Sequence, residues 1–217
     1  MNRRRLSEYK HIVWDWNGTL LNDLWLCVDS LNAILEVQGR PAISRDRYLE
    51  IFEFPVVRVY AALGFPTDDL SFKAGSMAYM AQYEARRREC GLHDGARGTL
   101  AALRDAGVGQ SVLSAYRHDL LESIIAEHGI GEFFHSLSGN GDIYAAGKAE
   151  RALGHRRSLG LEPHEVLYIG DTVHDAETAE AMGADCILLA HGHQPRAKLE
   201  ATGHPVVAGF DELRRRL

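Results

Sequence analysis

Short apolar runs rich in β-branched residues alternate along this chain with longer segments of helical periodicity. The runs are "HIVWDW" (11–16), "GQSVLSA" (109–115), "EVLYIGD" (165–171) and "ADCILLA" (184–190), with a weaker fifth in "HPVVAG" (204–209). Because each run is almost continuously apolar, we expect strands that are buried on both faces. Strands that alternate with helices form a parallel sheet covered by helices, so the sequence predicts the α/β class.

The interval between the first two strands carries no strand pattern of its own and is predicted to be helical. Apolar residues recur at three- and four-residue spacing after residue 24, in a helix that Asn22 or Asp23 is expected to cap and that Gly39 and Pro41 end. Further helices are predicted over residues 45–51, 56–63 and 69–89. An all-helical block inserted after the first strand predicts a second small domain over the ligand-binding edge of the sheet.

Charge and cysteine content restrict the partners and the compartment. The 217 residues include 24 basic and 30 acidic side chains, a net charge of -6, with no long basic stripe. This balance favours neither nucleic acid nor a membrane surface as a partner. Cys27, Cys90 and Cys186 are scattered, which indicates free thiols. The chain lacks a signal-peptide pattern and any run near the roughly twenty apolar residues of a membrane span, so we expect a cytoplasmic protein. Its oligomeric state is left open.

Candidate chemical groups follow the predicted strands. Asp15 closes the first strand, Ser114 the second and Asp171 the third, and Asp175 lies one helical turn beyond Asp171. The carboxyl ends of parallel strands form the ligand crevice of such a sheet, so these residues can converge. Three carboxylates in one crevice repel each other unless a cation neutralises them, and Mg²⁺ prefers oxygen ligands. With Lys148 and a hydroxyl nearby to hold phosphate oxygens, the set predicts phosphoryl transfer.

Four segments together resemble the ordered motifs of the haloacid dehalogenase superfamily, in its phosphoglycolate phosphatase-like branch. They are "DWNGTLLND", "VLSA", the lysine of "GKAE" and "YIGDTVHDAETAEAMGA". The resemblance implies a Rossmann-like core over residues 1–20 and 94–217 and a helical cap over residues 21–93. It also implies a Mg²⁺-dependent phosphatase that hydrolyses a small phosphorylated metabolite through an aspartyl-phosphate intermediate.

The resemblance also implies roles for individual residues. Asp15 would be the nucleophile, and Ser114 and Lys148 would bind the phosphoryl oxygens. Thr19 belongs to the same substrate-binding set and, with Gly18, shapes the turn that exposes Asp15. The implied ligands of Mg²⁺ are Asp15, Asp171, Asp175 and the backbone carbonyl of Asn17.

Asn17 departs from the family pattern. Phosphatases of this family normally carry a second aspartate here, which protonates the leaving alcohol and later activates water. An amide does neither at neutral pH, and general acid–base catalysis typically contributes a factor on the order of 10²–10⁴ in rate. Slow turnover, an acidic leaving group or another proton donor would each accommodate the change. His174, His191 and His193 are the candidate donors, because imidazole titrates near neutrality.

Two other functions stay open. Relatives that cleave carbon–phosphorus bonds, such as phosphonoacetaldehyde hydrolase, also lack the second aspartate and use a cap lysine, for which Lys73 is the candidate. A non-catalytic phosphate-binding or regulatory module is the other alternative. A dehalogenase is disfavoured, because Ser114, Lys148 and the Gly-Thr turn suit a phosphate. Arg47, Arg58 and Tyr60 are the candidate cap contacts for the organic part of the substrate.

Overall fold

A computed structural model describes residues 4–141 and 148–217, with the side chains of residues 148–150 excluded. Its sheet has six parallel strands in the order β3-β2-β1-β4-β5-β6. The strands are β1 (His11–Trp14), β2 (Gly109–Arg117), β3 (Ser136–Asn140), β4 (Val166–Gly170), β5 (Asp185–Leu189) and β6 (Val206–Val207). The predicted α/β class with a Rossmann-like parallel sheet is confirmed.

Helices account for most of the remaining chain. Those between β1 and β2 are α1 (Leu24–Val37), α2 (Arg45–Ile51), α3 (Val57–Ala62), α4 (Asp69–Arg86) and α5 (Ala96–Asp105). Those that follow are α6 (His118–Glu127), α7 (Lys148–Leu159), α8 (Val173–Met182), α9 (Arg196–Glu200) and α10 (Phe210–Arg214). Helices α1 to α4 are the predicted helical insertion, and its division from the core as a separate domain stays a prediction.

The central strand β1 separates two apolar layers. Ile12 and Trp14 face the layer that continues into the inserted helices, whereas Val13 faces the layer under α7 and α8. Successive side chains of a strand point to opposite faces, so a strand buried on both sides must be apolar throughout. Parallel pairing of β1 with both β2 and β4 brings the carboxyl ends of these strands to one edge.

Two strand assignments from the sequence need correction. Strand β3 carries the sequence "SLSGN", which has no β-branched residue and was not predicted. It is an edge strand that pairs only with β2, so tertiary pairing supplies what local propensity does not. Ser114 does not close β2, which continues to Arg117, and the pairing register with β3 shifts between Leu113 and Arg117. Such an irregularity re-aims the side chains beside it.

Helix α1 begins where the sequence predicts, but its capping differs. Asp23 occupies the N-cap position and its side chain makes no capping hydrogen bond, because the carboxylate points to groups near Asn17 instead. The helix ends at Val37, two residues before Gly39, whose φ of 65° is the left-handed conformation that glycine favours.

Two predictions about thiols and membranes can be compared with the structure. The three cysteines, Cys27, Cys90 and Cys186, are free and buried, as expected. Among residues 4–141 and 148–217, none of the helices combines the length and apolar character that crossing a bilayer requires.

Candidate active site

Three buried carboxylates meet at the carboxyl edge of the sheet. Asp15 follows β1, Asp171 follows β4 and Asp175 lies in the first turn of α8. Their oxygens lie within 4.8 Å of one another, and the side chains of Asp171 and Asp175 are fully buried. The sequence predicts this convergence, because parallel strands bring their carboxyl ends to one edge. The three carboxylates form the centre of the candidate site.

Asp171 is held in a crowded setting. The hydroxyl of Thr19 donates to its Oδ1 at 2.6 Å and the backbone N–H of His193 donates to its Oδ2 at 2.7 Å. A Cβ on Gly18, whose φ is 73°, would lie 2.4 Å from Asp171 Oδ2, and one on Gly192 would lie 2.1 Å from it. Only glycine fits at both positions, because any side chain there would displace the carboxylate.

Asp175 is oriented by the start of α8. Thr172 and Asp175 form a capping box, in which the hydroxyl of Thr172 donates to Asp175 Oδ2 at 2.6 Å and accepts from the Asp175 N–H at 3.3 Å. The backbone N–H groups of Asp171 and Thr172 also donate to this oxygen. The turn that begins the helix therefore also orients an acidic residue of the site.

The carboxylate cluster fits a hard divalent cation. Burial raises the pKa of Asp171 to about 6, to which the charge of Asp175 contributes and which the charge of His193 opposes. Three mutually close oxygens from carboxylates match the donor preference of Mg²⁺. Asp15, Asp171 and Asp175 could hold such an ion, and the ligand roles predicted for them and for the backbone carbonyl of Asn17 stay predictions.

The side chain of Asn17 is fixed by two acceptors. Its Nδ2 donates to Asp23 Oδ2 at 2.7 Å and to the hydroxyl of Tyr83 at 2.9 Å, while that hydroxyl donates to Asp23 Oδ2 at 2.7 Å. Both protons of the amide are thus engaged. A carboxylate lies next to position 17, on Asp23, although the residue at position 17 itself is an amide.

Asp23 forms a buried ion pair with His193. His193 Nε2 lies 3.3 Å from Asp23 Oδ1, and its Nδ1 lies 3.0 Å from the hydroxyl of Tyr48. Burial by itself lowers the pKa of His193, but the charges of Asp23, Asp171 and Asp15 outweigh it and raise the pKa to about 9. Burial correspondingly raises the pKa of Asp23, and the charge and hydrogen bond of His193 reverse this to a net lowering. At neutral pH both groups are charged.

A cavity of about 170 Å³ opens directly beside Asp15 and Asn17. The core residues that line it include Ser114 and Tyr116 of β2, Thr172 and His193. The inserted segment between β1 and β2 supplies an aromatic and aliphatic wall that includes Tyr48, Phe52, Phe54, Tyr60, Phe72 and Met80. The carboxylate cluster therefore adjoins, through Asp15, a cavity with a largely aromatic wall.

Comparison with protein families identifies this arrangement. A family model described as haloacid dehalogenase-like hydrolase matches residues 12–189, which include the three carboxylates and the inserted helices. The chain belongs to the haloacid dehalogenase-like hydrolase family. The predictions of the family and of a hydrolase are confirmed.

Individual relatives add detail to this membership. The tyrosine-protein kinase PtkA of Mycobacterium tuberculosis is 28% identical over 95% of this chain and 72% of its own length. The phosphoglycolate phosphatase of Pseudomonas putida is 26% identical over 94% of this chain and 76% of its own length. The predicted likeness to the phosphoglycolate phosphatase-like branch of the haloacid dehalogenase superfamily is confirmed by this match.

Solved structures show the same fold. A haloacid dehalogenase-like hydrolase from Streptococcus pneumoniae superposes with a TM-score of 0.83 at 17% identity, covering 99% of each chain. The M. tuberculosis PtkA structure gives a TM-score of 0.80 at 26% identity and covers 96% of this chain and 97% of its own. The likeness extends over the inserted helices as well as the sheet.

The three residues predicted to bind the phosphate in a haloacid dehalogenase site differ in where they lie relative to the cavity. Ser114 lines the cavity and its hydroxyl accepts from the Tyr116 N–H at 3.1 Å. The hydroxyl of Thr19 is directed to Asp171 and Thr19 does not line the cavity. Lys148 is the first residue of α7, and its side chain lies outside the described residues. Their roles in substrate binding stay predictions.

Of the three histidines considered as proton donors in this haloacid dehalogenase-like site, only His193 lines the cavity. His191 stacks on His93 with ring centroids 3.7 Å apart, and burial lowers the pKa of His191 to about 4. His174 lies beside Glu177 and over the ring of Phe54.

Among the cap residues considered for substrate contact, Tyr60 lines the cavity. Arg47 and Arg58 do not, and they pair with Glu50 and Glu53 on the surface.

Sequence reasoning missed Asp23 as a residue of the site. Its signal was a carboxylate directly before an amphipathic helix, which ordinarily indicates a cap.

Proposed function

We propose that this chain is a Mg²⁺-dependent phosphatase that hydrolyses a small organic phosphate through an aspartyl-phosphate intermediate. The observation that carries the proposal is the cluster of Asp15, Asp171 and Asp175 within 4.8 Å of one another, beside a cavity that Asp15 lines. The similarity to phosphoglycolate phosphatases, whose name states a phosphate-ester substrate, supports it.

In this proposal Asp15 attacks the phosphorus atom. Its carboxylate oxygen forms a bond to phosphorus while the bond to the leaving oxygen breaks and the electron pair departs with that oxygen. Water then cleaves the aspartyl phosphate and restores Asp15. A bound Mg²⁺ would neutralise the phosphate and carboxylate charges. Asp171 and Asp175 would hold the ion, and Ser114 and Lys148 would bind phosphoryl oxygens.

Substitution of Asp15 tests the proposal. We expect Asp15→Asn to abolish Mg²⁺-dependent phosphate release while the protein still folds, because the nucleophile is lost. Acid quenching of the wild type during turnover should trap a phosphoprotein that hydroxylamine releases, and the variant should show none. Undiminished phosphate release by Asp15→Asn, or by the wild type in excess chelator, would contradict the proposal.

Carbon–phosphorus cleavage is less well supported than ester hydrolysis. Lys73 is exposed and does not line the cavity. A lysine that forms a Schiff base must be desolvated, and an exposed position does not provide that. Borohydride trapping with phosphonoacetaldehyde is the direct test, and we expect no adduct. The non-catalytic alternative predicts no turnover in any substrate screen.

The similarity to the tyrosine-protein kinase PtkA favours one second candidate, transfer of the phosphoryl group to an acceptor other than water. Asn17 has no acidic group to activate water, which is the observation on this chain that favours it. Incubation with ATP and Mg²⁺ separates the candidates: a transferase labels an acceptor protein, whereas a phosphatase releases inorganic phosphate from an ester.

The cytoplasmic location stays a prediction. The three free thiols support it.

A further inference from the structure

We propose that the substrate is a phosphate monoester of an uncharged aromatic alcohol, whose ring occupies the cavity beside Asp15. This inference rests on the proposed phosphatase function and names the substrate class. Phe54, Tyr60, Phe72 and Met80 supply apolar surface to the cavity, whose volume is about 170 Å³. A cavity of about 150 Å³ lined by apolar side chains accepts benzene in another protein, so a single ring fits here.

The charge of the described cavity lining disfavours a carboxylated substrate such as a phosphorylated hydroxy acid. No lysine or arginine lines it among the side chains that the structure describes, in 4–141 and 151–217. The ion pair of Asp23 and His193 is internally neutralised, and Asp23 also accepts from the N–H of Gly18 at 2.8 Å. A carboxylate placed in this wall would be desolvated without a cationic partner, which is costly.

Three tyrosine hydroxyls of the wall are already engaged within the protein. The hydroxyl of Tyr83 donates to Asp23, that of Tyr48 lies 3.0 Å from His193 Nδ1 and that of Tyr116 donates to Glu84. These three tyrosines therefore present ring surface to a ligand. Ring surfaces pair favourably with an aromatic group in stacked or edge-on geometry.

The chemistry of Asn17 selects the same class of substrate. Both of its amide protons bind Asp23 and Tyr83, so the side chain does not protonate the leaving oxygen. When Asp15 displaces a phenolate, the electron pair of the broken P–O bond delocalises into the ring and the phenolate takes its proton from solvent after release. An alkoxide lacks that delocalisation, so the absence of a general acid slows cleavage of an aryl ester less than cleavage of an alkyl ester.

The test compares esters that separate ring binding from leaving-group acidity. Phenyl phosphate is compared with hexafluoroisopropyl phosphate, an alkyl ester of similarly acidic alcohol, and with 4-carboxyphenyl phosphate, which adds a charge to the ring. We expect phenyl phosphate to exceed each in kcat/KM by on the order of tenfold to a hundredfold, as apolar pockets discriminate by such factors. Equal values, or a faster carboxylated ester, would overturn the inference.

A pair of matched substitutions on α4 tests the cavity itself. Met80→Arg places a cation in the wall, whereas Met77→Arg places the same side chain on the outer surface, where Met77 is 63% exposed. We expect Met80→Arg to reduce kcat/KM for phenyl phosphate and to raise it for 4-carboxyphenyl phosphate. Met77→Arg should resemble the wild type with both esters. Unchanged preference in a folded Met80→Arg variant would overturn the inference.

Failure of the inference and failure of the proposed function give different results. If acetyl phosphate is hydrolysed in an Asp15-dependent manner but no aromatic preference exists, the inference fails and the phosphatase stands. If no ester is hydrolysed, the phosphatase proposal fails, and calorimetry with phenylphosphonate and methylphosphonate in the presence of Mg²⁺ still tests the cavity. Tighter binding of phenylphosphonate supports the aromatic site, and equal or absent binding overturns it.

Discussion

At the residue scale, the amide of Asn17 faces the carboxylate of Asp23 beside the candidate nucleophile. Asn17 supplies an amide next to the nucleophile, and Asp23 supplies a carboxylate 2.7 Å from that amide. The two side chains are hydrogen-bonding partners, because the amide of Asn17 donates to the carboxylate of Asp23. The absence of an acid at position 17 is therefore built into a hydrogen-bonded network and is not an isolated change.

This pairing predicts that Asn17→Asp destabilises the protein. The variant would set a second carboxylate against Asp23 in a buried setting, and like charges there repel each other. We expect a lower melting temperature for Asn17→Asp and partial recovery in the double variant Asn17→Asp/Asp23→Asn, in which an amide again faces a carboxylate but His193 loses the charge of Asp23. Thermal unfolding of the three proteins at pH 7 is the measurement.

The same variants test the role of the missing acid. The double variant carries a carboxyl group at position 17, so its rate should depend less steeply on leaving-group acidity than that of the wild type. A wild type with an already flat dependence would indicate another proton donor. Unaltered stability in Asn17→Asp would contradict the pairing of Asn17 with Asp23.

At the element scale, helix starts and short loops place the acidic residues. The first turn of α8 orients Asp175 through Thr172, and the segment after β5 directs the His193 N–H to Asp171. That segment also reaches the inserted helices, because Gln194 and Lys198 both donate to the carbonyl of Phe52 at 3.0 and 3.1 Å. Elements from both sides of the cavity are thereby tied together.

The capping box of α8 predicts a double effect of Thr172→Ala. Loss of the hydroxyl removes its hydrogen bonds with Asp175, and loss of a cap costs about 1 kcal/mol of stability. We also expect Mg²⁺ affinity to fall by about tenfold to a hundredfold, as it does when groups that orient a ligand are removed. Thr172→Ser keeps the hydroxyl and is the matched control. Denaturant titrations and calorimetry with Mg²⁺ measure both effects, and identical behaviour of the two variants would contradict this role of the hydroxyl.

At the scale of the whole molecule, the buried ion pair of Asp23 and His193 joins the inserted helices to the sheet. Asp23 begins α1 and His193 follows β5, while Tyr48 of α2 lies against the same imidazole. The aromatic cavity lies between these elements. Closure of the helices over the carboxylates therefore depends on a charge pair as well as on apolar contact.

The ion pair predicts a loss of stability at alkaline pH. The pKa of His193 is about 9 in the folded protein and about 6.5 in an unfolded chain, so the folded state binds the proton more tightly. This contribution is complete below about pH 6.5 and is lost as the pH rises through 9. We expect the free energy of unfolding to fall between pH 6.5 and 9, and to fall less in His193→Asn. Urea denaturation across this range measures it, and equal slopes in both proteins would contradict the assignment.

Sequence patterns alone determined five of the six strands, most of the inserted helices and the three clustered carboxylates. Continuous apolar runs must be buried on both faces, and parallel strands bring their carboxyl ends to one edge, so Asp15 and Asp171 converge whatever the details of packing. Strand β3 was not predicted, because "SLSGN" lacks the β-branched residues typical of strands and its conformation comes from pairing with β2.

Only the tertiary structure decided what Asp23 does. Its position before α1 indicates a helix cap, yet its carboxylate binds Asn17, Tyr83 and His193, and the latter two lie 60 and 170 positions away in the chain. The cavity likewise combines side chains from four inserted helices with residues that follow three strands. Local propensity and periodicity report on neighbours within a few residues, whereas a buried polar group takes whichever partner the packing of distant segments brings into hydrogen-bonding range.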